Sequence, residues 1–153
     1  MTFHNLAYPA VTEQDFDALA DLRAAAMQAS LQRLGRYDPQ RSRERLRAGF
    51  EPDRTRAIER DGRRIGFYAL RPVDGALRLD HLYLLPATCG QGVGSQVMRH
   101  IIEQAQAAGL DLCLGALRGS DANRFYLRHG FVQAGESEWD IEYRRACPPA
   151  APA

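Results

Sequence analysis

The sequence predicts an α/β fold: a central mixed, mostly antiparallel sheet of about seven strands flanked by about four helices, placed on both faces. Three observations lead there. Apolar residues recur at helical spacing up to Phe50 and then change, from Thr55, toward a period of two. Asp61-Gly62 separates two strand-like runs, a strong hairpin signal. An apolar strand then enters a glycine-rich turn that opens a helix, and a short apolar run follows that helix.

Taken in order, Thr2 to Ala7 predicts a short opening strand. Thr12-Glu-Gln-Asp15 predicts a helix start, with a Thr N-cap and acids in the first turn ahead of Phe16, Leu19, Ala20 and Leu22. Asp38-Pro39 predicts a second start, Asp capping and Pro in the first helical position, with Leu46 and Phe50 at i, i+4. Strands are expected over Thr55 to Arg60 and Arg63 to Arg71. A turn at Val73-Asp74-Gly75 leads to a third, Leu77 to Leu85. Val93, Val97, Ile101, Ile102 and Ala105 share one helical face, and Gly109 ends that helix. Leu110 to Leu117 predicts a strand buried on both faces, parallel to the strand before the turn through a right-handed crossover. Ser120 or Asp121 can cap a helix reaching His129, and strands near Phe131 to Glu136 and Glu138 to Arg144 complete the chain.

The chain has 153 residues, a length that fits one domain over 1–146, with a disordered Pro/Ala tail over 147–153. No apolar run approaches the roughly 20 residues of a membrane span. No signal-peptide pattern opens the chain, so a cytoplasmic location and no membrane partner are expected. Cys89, Cys113 and Cys147 are too few and scattered for a disulfide framework or a zinc site, so free thiols and no metal are expected. A formal net charge of +1 offers no global field for nucleic acid. Every basic residue other than histidine is arginine. The arginine-rich run Arg33 to Arg47 is interleaved with acids and polars and reads as a solvated helix face.

The most informative segment is Leu82-Tyr-Leu-Leu-Pro86-Ala-Thr-Cys-Gly90-Gln-Gly92-Val-Gly94-Ser95. Glycine permits positive φ and close backbone approach. The first N–H groups of the helix lack intrahelical partners and lie at the positive end of its dipole, which together suit a phosphate or pyrophosphate. No Lys-Ser or Lys-Thr follows the glycines, against a nucleotide-hydrolysing P-loop. A long antiparallel run precedes them, against a Rossmann fingerprint.

LYLLPATCGQGVGSQVM resembles motif A of the GNAT superfamily of N-acetyltransferases. Ala122-Asn-Arg-Phe-Tyr126-Leu-Arg-His-Gly130-Phe131 resembles its motif B, with an aromatic-Tyr pair four residues before Gly-Phe. One helix and one strand between them, and the order of all elements, agree with the GNAT acyl-CoA N-acyltransferase fold over nearly the whole chain. Two positions depart: Cys89 replaces the polar residue that begins motif A, and Gly119 replaces an Asn upstream of motif B.

The resemblance implies acetyl-CoA as cosubstrate and direct attack of a small-molecule or peptide amine on its thioester. Gly90, Gln91, Gly92, Val93, Gly94 and Ser95 would take the pyrophosphate, and the backbone of Leu84 and Leu85 the pantetheine arm and acyl carbonyl. Ser120 or Asn123 would stand in, toward the pantetheine arm, for the Asn that Gly119 replaces. Tyr126 matches the tyrosine that protonates the departing thiolate, and Asp80 stands where some members carry a base. His81 alternates to the opposite strand face. Tyr37, Tyr83, Trp139 and Tyr143 are candidates to line the acceptor pocket, and a homodimer is common among relatives. A longer acyl group, or a catalytically silent acyl-CoA-binding module, are the competing expectations.

Overall fold

The structure, a computed structural model, describes residues 3–149. Seven strands form one sheet in the order β1-β2-β3-β4-β5-β7-β6. The chain divides into two compact units: residues up to Leu70 with His81–Gly94, and Arg71–Asp80 with residues from Ser95 onward. Strands β3 (Arg63–Val73) and β4 (Ala76–Leu84) therefore each begin in one unit and end in the other.

In the first unit, β1 (Leu6–Ala7) pairs antiparallel with β2 (Thr55–Arg60), and β2 with β3. Asp61 and Gly62 have φ of 52° and 82°, the pair of positive values that a tight hairpin turn with right-handed strand twist requires. The opening strand is shorter than expected, and Thr2 lies outside the described residues. A 3₁₀ turn at Glu13–Asp15 leads into α1 (Phe16–Arg33). The Asp15 carboxylate accepts from the Thr12 amide at 2.8 Å and from Arg64 at 2.9 Å. Those two contacts hold it below the usual carboxylate range. Phe16, Leu19, Ala20 and Arg23, at i, i+3, i+4 and i+7, are the buried stripe of α1.

α2 (Pro39–Gly49) starts as expected, Asp38 accepting the Arg41 amide at 3.1 Å, but ends at Gly49, so Phe50 packs as its extended C-cap. Leu19, Leu46, Ala57 and Phe67, each 0% exposed, centre this unit's core, with Tyr83 and Leu85 packed against it. Burying Phe67 alone stabilises by roughly 1.5–3 kcal/mol relative to leaving it in water.

In the second unit, Ala76–Leu79 of β4 pair in parallel with Asp111–Leu114 of β5 (Asp111–Leu117). β5 pairs antiparallel with β7 (Asp140–Arg145), and β7 with β6 (Val132–Glu136). Val97, Met98, Ile101 and Ala105 form the buried stripe of α3 (Val93–Ala107), and Gly109 follows it at φ 69°. α4 is short, Ala122–Arg128.

β5 corrects an expectation: Leu112, Leu114 and Ala116 are buried, but Asp111, Cys113 and Leu117 are only half-buried and Gly115 is exposed. It alternates because its second face carries the Arg144–Asp111 and neighbouring Arg78–Glu142 ion pairs. The expected tail is tied at its first residue, the Cys147 amide donating to Asp111 at 2.8 Å, and residues 150–153 lie outside the described residues.

Candidate active site

In the first unit, β4 delivers the glycine-rich loop through a 3₁₀ turn at Pro86–Thr88. Thr88 is buried and its hydroxyl donates to the Leu85 carbonyl at 2.7 Å, fixing the exit from the strand. Gly90 and Gly92 have φ of 79° and 81°, and no heavy atom lies within 4 Å of where a Cβ on either would sit. Their requirement is thus conformational, and the loop's outer surface is open to a large ligand. α3 begins directly after, at Val93, with Gly94 and Ser95 in its first turn. Those residues present the unpaired N–H groups that favour an oxyanion.

Gln91 braces the loop. Its amide donates to the Ala87 carbonyl at 3.1 Å, its side-chain oxygen accepts from Arg60 at 2.6 Å, and its carbonyl lies 2.6 Å from His4 Nε2. Its side chain is therefore a positioning group, which modifies the expectation of a direct ligand contact. Leu85 also changes role: its amide donates to Ile65 on β3 at 2.8 Å. N–H groups alternate between the edges of a strand, so the Leu84 amide points away from β3. Gly66, which sequence reasoning passed over, permits this packing. A Cβ there would stand 2.2 Å from the Tyr83 carbonyl oxygen and 2.8 Å from Leu84 Cδ2. The one available signal was an isolated glycine inside a strand pattern.

Tyr83 stands in a polar cluster of the same unit. Its hydroxyl accepts from Arg23 Nε at 3.1 Å and lies 3.3 Å from His81 Nδ1, while its ring packs on Phe67 at 5.4 Å. His81 and Tyr83 thus share the face opposite Asp80, as alternation requires. Tyr37 is half-buried in the connection between α1 and α2. A groove of about 930 Å³ on α1 and α2 has Glu13, Asp17, Arg43 and Arg47 in its walls. Its charges pair with each other, Arg43 with Asp17 and Arg47 with Glu13, and both guanidinium groups lie over the Phe16 ring.

In the second unit, Tyr126 is buried on α4, its ring 5.7 Å from Phe131 and 6.1 Å from Tyr143. Asn123, expected near the pantetheine arm, is engaged within the protein. Its Nδ2 donates to Leu117 O at 3.0 Å and Ser120 O at 2.9 Å, and its Oδ1 accepts from the Tyr143 hydroxyl at 2.7 Å. This clip ties α4 to β5 and β7 and occupies Ser120 as well. Tyr143 is 4% exposed and its hydroxyl is engaged by Asn123. Trp139 is half-exposed in the β6–β7 turn. Ser95 Oγ lies 3.1 Å from His129 Nε2. Burial, then the charges of Arg128, Arg99 and Arg145, push the His129 imidazole below its usual range.

Asp80, the expected base, stands in a set of ion pairs. Arg71 donates to both of its oxygens, at 2.8 and 3.2 Å, and Arg78 Nε lies 3.7 Å away.

A family model described as an acetyltransferase (GNAT) domain matches residues 52–133, from the turn before β2 to the start of β6. The fold is similar to the PaiA N-acetyltransferase from Thermoplasma acidophilum, solved with coenzyme A. The TM-score is 0.76 at 15% identity, over 93% of this chain and 99% of that one. It is also similar to the ribosomal-protein-S18-alanine N-acetyltransferase from Escherichia coli, TM-score 0.72 at 16% identity, over 96% and 97%. A curated relative, the aminoalkylphosphonate N-acetyltransferase of Salmonella typhimurium, is 38% identical over 58 residues, 37% of this chain. The match spans only 38% of that relative's length. Glycine-rich loop, sheet order and a family match over more than half the sequence agree: the chain belongs to the GNAT acetyltransferase domain family.

Proposed function

We propose that this protein transfers an acetyl group from acetyl-CoA to the amine of a small molecule. The observation that carries the reading is the loop. Two left-handed glycines with open space above them lead straight into the first turn of a 15-residue helix. That arrangement suits a pyrophosphate held by the amides of Val93, Gly94 and Ser95. The replacement of the usual polar residue by Cys89 matters little to such a site, because backbone groups make the contacts. The activity named for the Salmonella relative supports a small amine as acceptor.

Acetyl-CoA supplies the activated acyl group as a thioester. The Leu84 amide, directed away from β3, is the donor suited to the acyl carbonyl, where negative charge grows as the amine attacks. Tyr126 gives its phenolic proton to the departing thiolate sulfur. A phenol of pKa about 10 and a thiol of about 8.5 are close enough for that transfer when adjacent.

CoA-thiol release with a panel of small amines, for wild type and Tyr126→Phe, tests the reading. The expected result is release by the wild type and a loss of about 100-fold or more in kcat for the variant, with the KM for acetyl-CoA within about twofold. Equal turnover in both proteins would remove Tyr126 from the chemistry. Absence of release by any amine would overturn the proposed activity.

A further inference from the structure

Arg23 is the only arginine among the described residues that is fully buried, at 8% exposed, and it meets no carboxylate among them. Its contacts are neutral. Nε donates to the Tyr83 hydroxyl at 3.1 Å, and Nη1 donates to the Ser42 carbonyl at 3.1 Å and to Ser42 Oγ. The guanidinium carbon lies 5.3 Å from the centre of the Tyr83 ring. Of the five N–H donors of a guanidinium, the two on Nη2 have no partner among the described residues, and Nη2 is not sealed from solvent. Arginine does not shed its proton to escape this situation, and a buried charge without a counterion is costly. The other arginines that form ion pairs do so at the surface or half-buried, where such pairs contribute least. The chain thus holds an uncompensated cation beside Tyr83, one residue before Leu84 on the strand that delivers the glycine-rich loop.

We propose that Arg23 binds an oxyanion, a carboxylate or a phosphonate, carried by the acceptor amine. The inference rests on the acetyltransferase reading, and it makes the acceptor a small zwitterionic amine. Nη2 presents two coplanar donors, a fork suited to such an oxyanion, and Ser42 and Tyr83 hold the guanidinium in place.

Two readouts on the intact chain test it. In the first, CoA release is compared for an amino acid, an aminoalkylphosphonate and the amine of equal chain length without the acidic group. Wild type is expected to favour one of the anionic amines. Arg23→Gln is expected to raise the KM for that amine by about tenfold to a hundredfold, with the neutral amine changed less than about twofold. Arg23→Lys should recover part of the loss. In the second, thermal unfolding is followed with each amine in the absence of acetyl-CoA, which reads binding without turnover. An anionic amine should raise the Tm of wild type but not of Arg23→Gln. Equal loss for charged and neutral amines, or a wild type indifferent to the acidic group, would overturn the proposal while leaving acetyl transfer standing. Arg23-dependent stabilisation by an anionic amine without CoA release would do the reverse.

Discussion

In the first half of β4, Arg78 and Asp80 stand in a closed set of ion pairs. In its second half, Tyr83 shares its hydroxyl with a guanidinium that meets no carboxylate among the described residues. Arg78 shows how the closed set works. Burial disfavours its charge, but the two-pronged hydrogen bond to Glu142 at 3.2 Å outweighs that and leaves it more firmly protonated than usual. Arg23 is held instead by two hydroxyls, a backbone carbonyl and an aromatic ring. Charges that satisfy one another hold a sheet together and need no ligand. A charge left over on the strand that leads to the glycine-rich loop is, on the proposal above, where a ligand's charge belongs.

The largest effect should come from disturbing the half with the unmatched charge. Gly66→Ala would place a methyl 2.2 Å from the Tyr83 carbonyl oxygen, a backbone atom that cannot rotate aside. The strands must part, at a cost of about 3 kcal/mol, which lowers Tm by roughly 10 °C for a chain of this size. Tyr83 would shift from Arg23, so the affinity for anionic amines should fall with the stability. A Tm within about 2 °C of wild type would mean that close packing of β3 on β4 does not hold the Tyr83 cluster.

A smaller effect is expected in the closed half. Asp80→Asn removes a half-exposed ion pair, worth about 1 kcal/mol or less after solvent screening, and should leave kcat within about twofold of wild type. A fall of a hundredfold with the KM for acetyl-CoA unchanged would return Asp80 to the role of base. The contrast between the two halves of β4 would then fail.

Much of this arrangement is legible in the residues, where local chemistry decides. Asp61-Gly62 can only be the turn it is, Asp38-Pro39 caps and starts a helix, and glycines before an apolar helical stripe mark the loop. What stayed hidden depends on which distant side chains meet. Asn123 looks like a spare amide near motif B, yet the turn from Leu117 to Ser120 and the Tyr143 hydroxyl consume it. β5 reads as buried on both faces because, Asp111 apart, the arginines of β4 and β7 that meet its second face leave no trace in its own residues. Arg23 is one of 20 arginines in a chain without lysine. Only its partners, all of them neutral, set it apart.

The smallest effect concerns a second partly buried basic side chain, His129. His129 packs against the Phe125 ring at 4.7 Å and faces Arg99, Arg128 and Arg145, with Ser95 Oγ at 3.1 Å as its side-chain partner. Burial and those three guanidinium charges depress its folded pKa, so the folded protein favours its neutral form. The sign of the pH dependence follows. Above about pH 6.5, the unperturbed value, His129 is neutral in both folded and unfolded chains. As the pH falls below that value the unfolded chain binds a proton and the folded one does not, so stability declines until the folded pKa is passed. His100, also depressed by burial although Glu103 opposes it, contributes in the same window. Tm measured from pH 7.5 to 5.5 should therefore fall by a few degrees, reflecting about 1 kcal/mol or less. His129→Gln, which keeps a polar partner for Ser95 but cannot titrate, should flatten part of that slope. An unchanged slope would mean that His129 is charged in the folded protein.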